Sequence, residues 1–231
     1  MLLGRAVRRS VGIRATSSAA ALVPAADLAR VHAVLSDDLQ KFNLGRSYTL
    51  AQHLAHVSVF AQRLGPLLAP WDRVVDLGAG SGILGFVSAF AYPDARFILM
   101  DNRESCCDFM LQGTRTLGLE GRVDVLHLRA ESAGMDPAHR QKHAGVMARR
   151  FNGGAATAAE CSAPLLQQGG FLLVSDPSPD VEAPSARWPP AGLQLLGLTV
   201  ERHGDHHSLL RQSKLCGAEY PRSRRLKRRL F

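Results

Sequence analysis

Little in this chain of 231 residues can cross-link or chelate. The cysteines are four, Cys106, Cys107, Cys161 and Cys216, and no two of them form a C-x-x-C pair. Adjacent Cys106 and Cys107 cannot staple a fold. This usage excludes a disulfide scaffold and the spacing of structural zinc, and it points to a reduced, intracellular compartment. No stretch approaches the ~18 consecutive apolar residues of a membrane span, and no secretory h-region is present. Acid is missing from the beginning: the first acidic residue is Asp27, and Arg5, Arg8, Arg9 and Arg14 precede it among alanines and serines. A transit peptide for a mitochondrion or plastid, a disordered basic arm and an over-extended start in a bacterial reading frame all fit residues 1–24. Across the chain, 28 Lys and Arg against 20 Asp and Glu leave a formal charge of +8. That favours a polyanionic partner and is also compatible with an ordinary basic surface. Apolar content and length fit one globular domain, and no internal repeat is visible.

What is present is an alternation of periods. Leu28, Val31, Leu35 and Leu39 predict a helix over 25–42. Thr49 caps a second, whose stripe is Leu50, Leu54, Val57, Phe60 and Leu64. Strands are expected over 73–77, 96–100, 122–128, 144–148 and 170–175. Helices are expected over 82–92, 104–117 and 155–167, with only a loop containing Pro137 before the fourth strand. Such alternation makes an α/β fold, a mostly parallel sheet with helices on both faces. Pro177, Pro179, Pro184, Pro189 and Pro190 then interrupt the pattern. Strands over 195–202 and 207–212 around Gly204-Asp205 read as a closing antiparallel hairpin. The expected organisation is a basic segment 1–24 followed by one domain, 25–231, with N-terminal helices 25–70, a core 71–176, and a hairpin with a basic tail, 177–231.

The run Val74-Val75-Asp76-Leu77-Gly78-Ala79-Gly80-Ser81-Gly82-Ile83-Leu84-Gly85 is a buried strand that spills through a glycine turn into a helix. Side-chain-free backbone lets a bulky ligand come close, and the helix N-terminus offers N–H groups. The match to G-x-G-x-x-G with Asp101 about 20 residues on also fits a dinucleotide. Asp76 argues against it, because a carboxylate there repels a pyrophosphate and attracts a cationic methionine moiety. S-adenosylmethionine is the favoured cofactor. Asp101 is placed for ribose hydroxyls, and a backbone N–H at Ala130 or Glu131 for the adenine edge. His53 and His56 lie one helical turn apart without a partner to complete a metal site, and His203, His206 and His207 flank the hairpin turn; no metal is expected. Trp71 and Trp188 are read as packing residues.

These residues resemble the RsmG (GidB) family of ribosomal RNA methyltransferases. The likeness rests on the segment 76–85, on Arg129-Ala130-Glu131, on Ala148-Arg149-Arg150-Phe151 and on Ala163-Pro164-Leu165-Leu166 with Gly169-Gly170. Near the end, Leu210-Arg211-Gln212, Tyr220-Pro221-Arg222 and Lys227-Arg228 continue it. It implies a Rossmann-like class I methyltransferase that methylates N7 of one guanine in 16S ribosomal RNA, in a bacterial cytoplasm or an organelle of bacterial descent. It implies cofactor contacts at Gly78, Ile83, Ala130, Glu131 and Arg149, beside those read for Asp76, Gly80 and Asp101. The chain departs from the family at Leu84, where proline is usual, at Gly45, at His56, which replaces an acid, and at Ser175-Asp176, where many members have Lys-Gly. Its tail also lacks the family's usual Gly and Pro.

Guanine N7 presents a free lone pair at neutral pH, so attack on a sulfonium methyl needs alignment and field rather than a general base. No Ser/His/Asp or Cys/His arrangement is evident, and Arg149 is expected to position rather than to transfer protons. RNA phosphates are expected at Arg149, Arg150, Arg222, Lys227 and Arg228, on a monomer that acts on 16S ribosomal RNA or the small subunit without metal or membrane. The rivals are a same-fold methyltransferase for a small molecule or protein, a non-catalytic RNA- or ribosome-binding homologue, and an NAD(P)-dependent oxidoreductase.

Overall fold

The computed structural model of the protein describes residues 22–36, 49–176, 184–204, 206–222 and 230. Two helices come first, α1 (Ala25–Ser36) and α2 (Leu50–Gln62). Leu39 and the rest of the expected helix to residue 42 lie outside the described residues, as do Gly45, Pro177, Pro179 and Asp205. Thr49 and Gln52 form a reciprocal capping box at the start of α2, each side chain bonded to the other's backbone N–H. The alternating part follows as β1 (Arg73–Leu77), α3 (Ile83–Ala91), β2 (Arg96–Asp101), α4 (Glu104–Leu117), β3 (Val123–His127), α5 (Ala130–Met135), β4 (His143–Ala148), α6 (Gly154–Ser162) and β5 (Leu166–Ser175). The chain closes with α7 (Pro184–Arg187), α8 (Pro190–Leu196), β6 (Leu198–Gly204) and β7 (His207–Gln212).

The seven strands form one sheet in the order β3-β2-β1-β4-β5-β7-β6. The first five are parallel, and β7 runs antiparallel to both β5 and β6. β1 and β4 are neighbours at the point where the strand order reverses, and ligands of doubly wound sheets bind outside the carboxyl ends of the strands there. Side chains alternate across the sheet. Val74, Phe97, Leu99 and Met147 join α1 to α4 in one core; Val75, Leu77, Ile98, Met100, Val146 and Ala148 join α6 and α8 in the other. Asp76 and Asp101 therefore share the parity of the α2–α3 face, and so does Arg149, two residues beyond Met147.

Four expectations need correction. The stretch before β4 is more than a loop, since α5 stands in it. Residues 195 and 196 belong to α8, not to a strand; Pro190 starts that helix and Gly197, at φ 70°, ends it. The helix from 154 stops at Ser162, where Pro164 turns the chain through a short 3-10 stretch (Ala163–Leu165) and Leu166 enters β5. Trp71 is not a packing residue: it is 71% exposed, at φ 68°. Trp188 is buried as expected; all four cysteines are buried too, and no two form a disulfide.

The C-terminal segment is bound by two arginines. Arg140 donates to the carbonyl oxygens of Gly134, Cys216, Gly217 and Tyr220 at 2.6–3.2 Å. Arg222 grips Glu160 with Nε and Nη2, both at 2.8 Å.

His143 is fully buried at the start of β4, and neither of its ring nitrogens has a hydrogen-bond partner. Burial and the nearby Arg73 and His139 hold its pKa down to about 4. The unfolded chain takes up the proton first as pH falls, so the stability is complete above the ordinary histidine value and drains away as pH falls toward 4. Full loss amounts to about 3 kcal/mol. Urea unfolding across this range is expected to show His143→Leu gaining on wild type as pH falls toward 4; the difference isolates His143, because the other shifted groups, buried Asp76 with its raised pKa and opposite sense among them, titrate in both proteins. Parallel pH profiles of the two proteins contradict the assignment.

Candidate functional site

A short strand ending in an acid, a glycine turn and a helix are fitted together by one carboxylate. The N-cap of α3 is Gly82, at φ 75°, which brings no side chain to the orphan N–H groups of the first turn. Asp76 supplies what is missing from the strand before: its Oδ2 accepts the Gly85 N–H at 3.0 Å. The carboxyl is 2% exposed, and burial raises its pKa to about 7, against the pull of that bond and of nearby Arg149. Gly78 (φ 70°) and Gly80 (φ 60°) shape the turn. A Cβ at Gly78 would lie 2.8 Å from the Phe151 ring, so this side of the turn is closed by the segment after β4.

Asp101, at the end of β2, is 6% exposed and holds the turn from the other side. Its Oδ2 accepts the Gly80 N–H at 2.9 Å, and its Oδ1 accepts from the backbone N and Nε of Arg103 at 3.0 and 3.3 Å. Ile83 is the buried first residue of α3. Ala130 and Glu131 open α5 directly after β3, on the same edge of the sheet, and the Glu131 carboxylate pairs with Arg129 at 3.3 Å.

Arg149 leaves the end of β4 toward α2. Its Nη2 donates to Nδ1 of His53 at 2.8 Å, while its Nε is buried with no hydrogen-bond partner. Burial pulls its pKa down and Asp76 pulls it up. His53, 2% exposed, is held to about pKa 4 by burial and by Arg149 and Arg150, so its ring is neutral at pH 7. Exposed His56 follows on the same helix. It stacks on His207 with centroids 6.0 Å apart, and its pKa is lowered by burial and by Arg149.

The remaining expected residues separate into two groups. Arg150 is exposed at φ 55°, its N–H bonded to the Ser175 hydroxyl at 3.2 Å. Arg222 faces inward onto Glu160, while Lys227 and Arg228 lie outside the described residues. Asp176 does not stand bare at this edge. Its carboxylate takes Arg187 Nε at 2.6 Å and the Ser208 hydroxyl, with His203 Nδ1 at 3.2 Å. Trp188 Nε1 donates to the same hydroxyl at 2.7 Å. Among the described residues no helix is long and apolar enough to cross a membrane, and no group of three His, Cys, Asp or Glu is arranged to hold a metal.

Sequence reading missed His53 as the partner of Arg149, Phe151 as the wall behind Gly78, and Arg187 as the counter-charge of Asp176. His53 and Arg149 are 96 positions apart, and no local pattern joins them. Arg149 itself was read from the resemblance of Ala148-Arg149-Arg150-Phe151 to the family.

Known proteins resemble this chain in sequence and in fold. Residues 35–182 match the GidB family model, described as rRNA small subunit methyltransferase G. A ribosomal RNA small subunit methyltransferase G from Marinobacter nauticus is 32% identical over 180 residues, covering 74% of this chain and 80% of the relative. One of the same description from Rubrobacter xylanophilus is 35% identical over 101 residues, covering 44% of this chain but only 38% of the relative's length. Among solved structures, yhhF of Escherichia coli, described as a methyltransferase, matches with TM-score 0.50 at 18% identity, over 68% of this chain and 86% of that one. The likeness concerns the fold, which is that of the Rossmann-like class I methyltransferases.

Asp176→Ala is expected to lower unfolding stability by about 3 kcal/mol, because it removes the carboxylate that both the Arg187 guanidinium and the buried Ser208 hydroxyl bond to. Asp176→Asn keeps an acceptor for Ser208 and should cost less. Denaturant unfolding of both variants decides; equal, negligible losses would show that the ion pair contributes nothing.

Proposed function

The chain belongs to the GidB (RsmG) family of small-subunit ribosomal RNA methyltransferases, and from that premise we propose that it transfers a methyl group from S-adenosylmethionine to guanine N7 of 16S ribosomal RNA. The observation that carries the reading is the buried, unpartnered Nε of Arg149 beside Asp76, across the glycine turn at the reversal point of the sheet. A buried donor without an acceptor marks a place for an anionic group, and a methionine carboxylate fits it. A buried acid fits the cationic part of the same molecule.

When bound, S-adenosylmethionine supplies an electrophilic sulfonium methyl. The chain's residues bind and align it. Gly78, Gly80 and Ile83 bring backbone close to the ligand at the start of α3. Asp101 has three donors from Gly80 and Arg103, and a carboxylate offers about four acceptor positions, so capacity is left for a ribose hydroxyl. The first N–H groups of α5, at Ala130 and Glu131, serve the adenine edge. Guanine N7 needs no proton removed, so no general base is assigned, and Arg149 acts by position and charge.

The RNA side rests on exposed Arg150, with Lys227 and Arg228 in the tail. Arg222 serves RNA less directly, since Glu160 already holds its guanidinium from two sides. The Ser175-Asp176 departure does not leave a repulsive acid facing phosphates, because Arg187 compensates it.

Labelled S-adenosylmethionine offered with unmodified 30S subunits, naked 16S RNA and a metabolite extract tests the reading. Label is expected in RNA as 7-methylguanosine. Cofactor binding without label in RNA contradicts the substrate, and binding of NADH instead contradicts the cofactor. Gly78→Arg is expected to abolish binding. Asp76→Asn keeps the acceptor for Gly85 and removes the charge. Because the native carboxyl ionises around pH 7, wild-type affinity is expected to rise from about pH 6 to about pH 8, and to rise less in the variant. Parallel profiles would exclude Asp76 from the binding charge.

A further inference from the structure

Holding a cation in place usually means neutralising it. Carboxylates do both for Arg187, Arg211 and Arg222, whose guanidinium groups pair with Asp176, Glu201 and Glu160. Arg149 is held differently. Its guanidinium is fixed at 2.8 Å by Nδ1 of a histidine, and that ring is neutral at pH 7. A neutral acceptor orients the planar fork without adding a counter-charge of its own. Nη2 carries two hydrogens and His53 takes one; Nε–H, on the same edge of the guanidinium, is buried without a partner. Helix α2 brings His53 to this place. The Thr49–Gln52 capping box sets where the helix begins, and Leu54, Val57 and Phe60 seat it in the core shared with Leu99 and Met147.

We propose that His53 is the positioning residue for Arg149: it accepts one guanidinium hydrogen through Nδ1 and presents the remaining Nε–Nη2 edge to the carboxylate of the cofactor's methionyl group. The role rests on the functional reading given above. It gives α2, which lies outside the alternating strand–helix core, a part in cofactor recognition. It also explains why the bond is made by Nδ1: an unprotonated Nδ1 places the ring proton on Nε2, so the nitrogen facing Arg149 is an acceptor.

The test uses the full chain and four proteins: wild type, His53→Ala, His53→Asn and His53→Gln. Asn places Oδ1 where Nδ1 stands, whereas Gln reaches one carbon too far. Calorimetric titration with S-adenosylmethionine is expected to show a Kd weakened roughly tenfold or more in His53→Ala and His53→Gln, and restored to within about threefold in His53→Asn. Thermal unfolding is followed alongside, because a merely structural role predicts affinities that track Tm with no rescue by Asn. Such tracking, or an unchanged Kd in His53→Ala, overturns the proposal. Nitrogen NMR of the histidine rings gives a readout without cofactor: wild-type His53 is expected as the Nε2–H tautomer, with the Nδ1 shift moving in Arg149→Lys. No shift in that variant also overturns it. Failure of wild type itself to bind S-adenosylmethionine overturns the functional reading and this role with it, whereas wild-type binding unaffected by His53→Ala overturns this role alone.

Discussion

Asp76 is the constraint around which the site is arranged. A carboxyl at the end of a central strand, 2% exposed, is costly unless its surroundings compensate it. Two groups do so, the Gly85 N–H and the charge of Arg149. Each reaches back into the fold. The N–H is available because Gly82 leaves the start of α3 uncapped, and Gly82 must stay small, since a Cβ there would lie 2.9 Å from both Leu99 and Phe86. The close seating of α3 on β2, the glycine that permits it and the acid that replaces the missing cap form one structural unit. Gly85 belongs to it as well, because a Cβ at that position would collide with Leu99 at 2.5 Å.

The sheet converts that local arrangement into a site. Val74, Val75 and Asp76 of β1 pair with Gly145, Val146 and Met147 of β4. Parity then sends Asp76 and Arg149 to the same face, and β2 delivers Asp101 there through its pairing with β1. None of the three is placed by a loop alone. Two stand at the ends of strands, and Arg149 follows the last residue of a strand whose six residues are all buried. Precision of this kind is expected where a ligand must be held in one orientation.

How much of this was legible in the sequence depends on the range of the interactions. β1, α4 and β7 were placed to the residue, because apolar runs bounded by turn residues encode them locally. α5 was missed: Ala130-Glu131-Ser132-Ala133-Gly134-Met135 has no apolar stripe, and its Gly134 is required by Pro221, whose Cδ would lie 2.7 Å from an added Cβ. α8 was taken partly for strand, because proline was read as an interruption although at a first helical turn it is an initiator. The places of Asp76 and Asp101 at the ends of β1 and β2 were readable from the apolar runs before them. The partners of Arg149 and Asp176 were not, since His53 and Arg187 meet them only through tertiary packing.

The same distinction governs the charge. A formal +8 invites the inference that the arginines face a polyanion, yet much of this guanidinium is turned inward. Arg122 donates to the Ala89 carbonyl, and Arg140 to those of Gly134, Cys216, Gly217 and Tyr220, which ties α5 to the segment around Tyr220. Those bonds order the side chain and leave the charge in place, whereas Glu160 and Asp176 cancel the charges of Arg222 and Arg187. Net charge therefore overstates how many cations are free to meet phosphates and understates how evenly the field is anchored. Beside Asp76, a neutral histidine holds Arg149 by a hydrogen bond that adds no counter-charge.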